Sequence, residues 1–178
     1  KQWLDLLEDV FGEEGRTDAF TAAGDEIVAD VEARITTVPE DERPSALILW
    51  KYSDGVPQVS GNGTFGTYWM KHLGVTDVAA EATGFTQVSM EQIYEWDPDI
   101  ILLTNFTPYQ PDDLYNNTIA QDDWSNVTAV KNKQVYKFPL GMYRWFPPAS
   151  DTPLVLKWLA KTIQPEAFAD IDMDQEIK

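Results

Sequence analysis

Apolar residues recur at helical spacing over the first 36 residues and then gather into short runs, so the chain reads as two helices followed by alternating strands and helices. "KQWLDLLEDVFG" places Trp3, Leu4, Leu7, Val10 and Phe11 as the apolar positions of an amphipathic helix over residues 1–11. In "DAFTAAGDEIVADVEARI" the face is Phe20, Ile27, Val31 and Ile35, which predicts a helix over about 17–36. A charged connector bounded by prolines, "VPEDERP" (38–44), precedes "SALILWKY" (45–52), an apolar run of strand length. Such runs fit a parallel strand covered on both faces, and "DIILLT" (99–104) and "KQVYKFP" (133–139) supply two more.

Between these runs, "DGVPQVSGNG" (54–63) holds a turn, an extended piece and a glycine-rich loop, and a helix through "FGTYWMKHLG" is closed by Gly74. "VTDVAA" adds a short strand. Ser89 caps a short helix, "MEQIYEW", that Asp97 and Pro98 end. "PYQPDDLYNNTIAQDDW" reads as a polar loop or helix. Asp151, Thr152 and Pro153 start a last helix, "PLVLKWLAKTI", and "PEAF" opens a closing turn. Strands alternating with helices predict an α/β domain with a central, mostly parallel sheet between two helical layers. Ligands on such sheets sit beyond the carboxyl ends of the strands, so the loops at 51–66, 104–112 and 139–151 are the candidate site.

Composition narrows the function. A net charge of −17 argues against nucleic acid as a partner, because a polyanion is repelled over most of such a surface. With no cysteine there are no disulfides, thiolate metal sites or cysteine nucleophiles. No stretch approaches the eighteen or so apolar residues of a membrane span, and no signal peptide is visible. A chain that opens inside a helix without an initiator Met is expected to be a fragment or a processed protein. Aromatic residues make up 12% of the chain, which supports either a large core or a face for flat, bulky ligands.

Two motifs invite chemistry. "GNGTFG" (Gly61 to Gly66) matches the G-x-G-x-x-G of dinucleotide sites, with Glu81 twenty residues on, and opens the alternative of a nucleotide-binding α/β enzyme. It follows two helices and a first strand, however, and a flexible turn with free amides facing a cleft fits as well. The lone His72 has no metal-ligand partner at motif spacing and reads as a helix-end histidine, and no hydrolase elbow or P-loop is present. In "GMYRWFPPASD" (141–151), Arg144 is the last of four arginines and stands among Tyr143, Trp145 and Phe146. It suits bidentate contact with an oxyanion, or a surface arginine stacked on a neighbouring ring.

Three blocks in order, "VSMEQIYEWDPDIILL" (88–103), "DDWSNVTAVKNKQVYKFP" (122–139) and "YRWFPPASDTPLVLKWLAKTIQPEAF" (143–168), resemble the substrate-binding proteins of ABC importers for iron-siderophore, cobalamin and haem complexes. The resemblance implies a Rossmann-like three-layer lobe over 44–178, the carboxyl-terminal lobe of a two-lobe protein. Residues 1–43 would then belong to the helical segment that connects the lobes, and the amino-terminal lobe and any lipid-anchor cysteine would lie outside this sequence. It also implies a monomer outside the cytoplasmic membrane, or lipid-anchored to its outer face, that captures a metal chelate in the interlobe cleft and hands it to a permease. No catalysis, bound cofactor or protein-held metal is implied. Glu91 matches the family's permease-docking acid, although a glutamate favouring its helix dipole predicts the same residue. The ligand wall would be Trp50, Tyr52, Asn62, Phe65, Tyr109, Tyr143, Arg144 and Trp145. Tyr143 and Trp145 are near-neighbours in an extended loop, and which of them faces the ligand stays open. Ferric siderophores head the expected ligands, with corrinoids, haem and metal oxyanions beside them.

Overall fold

The computed structural model describes residues 2–119, 121–141, 143–146, 148 and 152–176. Its element order is α1 (Gln2–Phe11), α2 (Asp18–Ile35), β1 (Ser45–Ser53), β2 (Val56–Ser60), α3 (Phe65–His72), β3 (Thr76–Asp77), β4 (Phe85–Gln87), α4 (Met90–Trp96), β5 (Ile100–Leu103), α5 (Pro111–Tyr115), α6 (Thr128–Lys131), β6 (Val135–Lys137), α7 (Thr152–Ile163) and α8 (Met173–Glu176).

The three runs become the parallel part of the sheet, with β5 between β1 and β6. Ala46 to Leu49 of β1 lie beside Ile100 to Leu103 of β5, and Ile101 to Leu103 lie beside Val135 to Lys137 of β6. Every residue of β5 is buried, as a strand covered on both faces requires. β3 pairs in parallel with the start of β1. The extended piece after Asp54 is more than the sequence reading allows: β2 folds back antiparallel to β1 through Asp54 and Gly55, both at positive φ. β4, which no apolar run announces, pairs antiparallel with β2. The sheet is therefore mixed, in the order β4-β2-β1-β5-β6.

Alternation along β1 divides the core. Ala46 and Ile48 face Val31 and Ile35 of α2, Trp69 and Met70 of α3 and Leu156 and Leu159 of α7. Leu47 and Leu49 face Ile93 of α4, Leu114 of α5 and Val130 of α6. Burying each such side chain contributes about 1.5–3 kcal/mol, which fixes the strand register and hence where its carboxyl end points.

Short-range polar contacts pin the ends of the elements. Ser89 Oγ accepts from the Gln92 amide at 3.3 Å and caps α4, which ends at Asp97 with φ 36°. The Asp97 carboxylate then accepts from the Thr128 amide and hydroxyl at 2.7 and 2.8 Å and starts α6. The connector "VPEDERP" is held as well: the Arg43 guanidinium donates to the carbonyls of Val38 and Ile35 at the end of α2. In α1 no residue is buried, and Trp3, Val10 and Phe11 are exposed. Asp151, expected to help start the last helix, and Pro147 lie outside the described residues. No helix among the described residues is long and apolar enough to cross a membrane.

Candidate functional site

β1 runs on past its neighbour β5, and Trp50 lies on that overhang. Its ring stacks on Phe85 of β4 with centroids 4.0 Å apart and lies 5.8 Å from Phe106. The loop that follows β5 holds Phe106 in place. The buried Thr104 hydroxyl donates to the Trp50 carbonyl and accepts from the Phe106 amide at 3.2 Å. Asn105 donates to the Phe138 carbonyl at 2.9 Å, and the Lys137 ammonium donates to the carbonyls of Thr107 and Tyr109, both at 2.7 Å. Burial lowers the Lys137 pKa below its ordinary value, as expected of an ammonium used to clamp backbone rather than to meet solvent.

Arg144 completes the surface. Its guanidinium carbon is 4.8 Å from the Phe106 centroid and 5.5 Å from that of Tyr143, and Nη1 donates to the Tyr143 hydroxyl at 3.0 Å. Cation–ring contacts of this kind contribute roughly 0.5–1 kcal/mol when exposed, enough to bias the side chain while leaving donors available. A bridge between Leu140 and Arg144 and a Gly141 amide bond to the Tyr143 carbonyl fold the segment into a tight turn. Tyr143 is 57% exposed and Trp145 only 2%. Trp145 is thus a correction to the expected wall: it packs edge-on against Trp158, while Phe146 packs against Phe138 and Trp69. The turn leaves Tyr143 and Arg144 at the surface and sends both Trp145 and Phe146 inward, so these two anchor the loop that presents their neighbours.

The glycine motif is a second correction. It follows β2, an antiparallel strand, rather than a central parallel one, and its first amides are already spent: Gly61 donates to the Gly84 carbonyl and Asn62 to that of Ala82. A Cβ on Gly61 would stand 2.4 Å from the Ala82 carbonyl oxygen, and one on Gly66 2.6 Å from Ser60 Oγ. These glycines serve close packing, not a phosphate cradle. The loop nevertheless borders the aromatic surface, since the residues it binds, 82–84, lead straight into Phe85. Asn62 and Phe65 are exposed on it.

Tyr52 and Tyr109 take a different position. They meet edge to face at 4.9 Å and pack on the opposite side of the sheet from Trp50, with the Tyr52 hydroxyl accepting from the buried Trp124 indole at 3.0 Å. Burial, with the Asp122 carboxylate second, pushes the Tyr52 phenol well above its ordinary value. Glu91 stands exposed in the first turn of α4; its own backbone amide, then the Ser89 hydroxyl, hold its carboxyl below the usual range. His72 Nδ1 meets Glu32 Oε1 at 2.6 Å and joins α3 to α2. Among the described residues no group of three or more His, Cys, Asp or Glu side chains is arranged to hold a metal.

Of the expected wall residues, Trp50, Tyr143 and Arg144 come together, joined by Phe85 and Phe106, which the sequence reading did not single out. Phe106 lay within the loop 104–112 that strand order had already marked. Phe85 gave no signal, because its strand has three residues and depends on β2 for pairing.

Comparison with known proteins gives this geometry a setting. A family model described as periplasmic binding protein matches residues 1–140. The molybdate-binding protein MolA of Haemophilus influenzae is 30% identical over 99% of this chain and 49% of its own length. A periplasmic solute-binding protein from Veillonella parvula superimposes with a TM-score of 0.86 at 33% identity, covering 98% of this chain and 52% of that one. MolA with molybdate bound superimposes with a TM-score of 0.78 at 28% identity over 98% of this chain and 52% of its own. The chain thus spans about half the length of the curated relatives it matches.

Proposed function

The chain belongs to the periplasmic binding protein family, and from that premise we propose that it forms the carboxyl-terminal half of an extracytoplasmic solute-binding protein serving an ABC importer. Residues 44–178 are its lobe, residues 1–43 the helical link toward an amino-terminal lobe, and the cleft between the lobes takes the ligand. The protein acts by binding and delivery, as a monomer, without covalent chemistry. What carries the reading is the wall of Trp50, Phe85, Phe106 and Tyr143 with Arg144 over it, built on the overhang of β1, on β4 and on the loops that follow β5 and β6. A ring-lined surface with a guanidinium suits an anionic metal complex, and a ferric siderophore uses both the rings and the charge. A bare metal oxyanion is the second reading, favoured by the molybdate bound by a relative at 30% identity. Glu91, exposed on α4, is the docking acid for the permease.

Arg144→Ala in the full-length protein tests the site. Loss of a charged hydrogen bond weakens binding of an anionic chelate or of molybdate by about 1.5–3 kcal/mol in a calorimetric titration. Unchanged affinity for every anion would return Arg144 to a surface role.

A further inference from the structure

Lys51 has no part in the site as described so far. Its ammonium nitrogen lies 4.6 Å from the centre of the Trp50 ring. Neighbours in a regular strand point to opposite faces, but the pairing of β1 with β2 shifts register between Leu49 and Lys51, and Lys51 comes to lie over the ring of the residue before it. Trp50 in turn touches Phe85 and Phe106, and Phe106 lies under Arg144. Two cations therefore stand at the two ends of one continuous set of rings.

In a chain with 30 acidic and 13 basic residues, the described cations divide by what they hold. Arg16, Arg34 and Lys157 hold carboxylates, while Arg43, Lys137 and Lys161 hold backbone carbonyls. Among the described residues no carboxylate pairs with Lys51, Lys71, Lys133 or Arg144, and of these four only Lys51 and Arg144 lie over a ring. Held against rings, both keep donors for an incoming anion, and together they make a local positive field on an acidic molecule.

We propose that Lys51 is the second cation of the ligand wall and sets its charge specificity: the ligand is a flat-sided metal complex with at least two negative charges, one anionic group on Arg144 and another on Lys51. The assignment rests on the reading of the aromatic surface as the ligand wall.

The test compares the full-length protein with its Lys51→Gln, Lys51→Arg and Arg144→Ala variants. Three probes are titrated at two salt concentrations: a trianionic ferric tris-catecholate, a neutral ferric trihydroxamate and molybdate. Lys51→Gln is expected to weaken the tris-catecholate about tenfold, as loss of a charged hydrogen bond does, to flatten its salt dependence, and to affect the neutral complex far less. Lys51→Arg restores most of the loss, which a packing role for Lys51 over Trp50 does not predict. Parental affinity and salt dependence in Lys51→Gln, with binding reduced in Arg144→Ala, would overturn the Lys51 assignment and leave the wall standing. Tighter binding of the neutral complex than of the trianion, or binding of molybdate alone, would overturn it as well. If no probe binds the parent protein, the wall reading falls and Lys51 with it.

Discussion

Arg144 and Trp145 are adjacent in sequence and opposite in fate: one lies over Phe106 at the surface, the other is buried against Trp158. Nothing in the residue types alone separates the two, because both suit a ligand; the turn between Leu140 and Arg144 decides which side faces in. The glycines of "GNGTFG" teach the same lesson, since a motif shared with phosphate loops here makes room for the Ala82 carbonyl and for Ser60. Asp77 supports that loop from below, accepting from the Ala79 amide at 3.0 Å and the Thr67 hydroxyl at 3.1 Å. Burial raises its pKa above the ordinary 3.8, and these two hydrogen bonds oppose the shift only in part. The folded state thus binds the proton more tightly than the unfolded chain, and stability falls as pH rises from the ordinary carboxylate value through the raised one. In Asp77→Asn this contribution disappears, and the urea midpoint across the window falls less, or rises more, with pH than in the parent. Equal slopes would mean that Asp77 titrates alike in both states.

Elements were legible where burial alone makes them. β5 and the first half of β1 are apolar runs covered on both faces, β6 is a short run beside them, and Ser89 before "MEQIYEW" is a cap that sequence and structure place at the same residue. β2 and β4 were not legible as strands, because a short antiparallel ribbon at a sheet edge is defined by its partner; the Asp54–Gly55 turn was its one local sign. Those two strands matter for the site, since β4 supplies Phe85 and the register shift beside β2 supplies Lys51. α4 carries the permease prediction. With Glu91 exposed and its carboxyl held ionised by its own backbone amide and Ser89, Glu91→Ala leaves ligand affinity unchanged and lowers uptake of the ligand by cells. Uptake at the parental rate, with expression equal, would remove the docking role. Loss of folding is not expected to obscure the result, because Ser89 still caps the helix.

At the scale of the whole molecule, the sheet carries its ligand candidates at one end and its structural ties at the other, where Asp99 joins the start of β1 to β5 through Ser45. A net charge of −17 alone argues against an anionic ligand; against it stand the two cations of the proposed wall, Lys51 and Arg144, on one set of rings. The resemblance carried by the blocks at 88–103, 122–139 and 143–168 led to the family that the comparisons give, whereas composition by itself reached no further than an acidic α/β protein. The face of α1 with Trp3, Val10 and Phe11 exposed fits a chain that supplies about half of a longer architecture. The most direct test of that account is a tryptophan fluorescence titration of the full-length protein with a ferric siderophore, a corrinoid, haem, molybdate and NAD. Trp50, stacked on Phe85 at the wall, is one of seven tryptophans, and the same titration of Trp50→Phe separates its signal from the rest. The account predicts a saturable change with an anionic metal complex or oxyanion and none with NAD; saturation by NAD alone would contradict it.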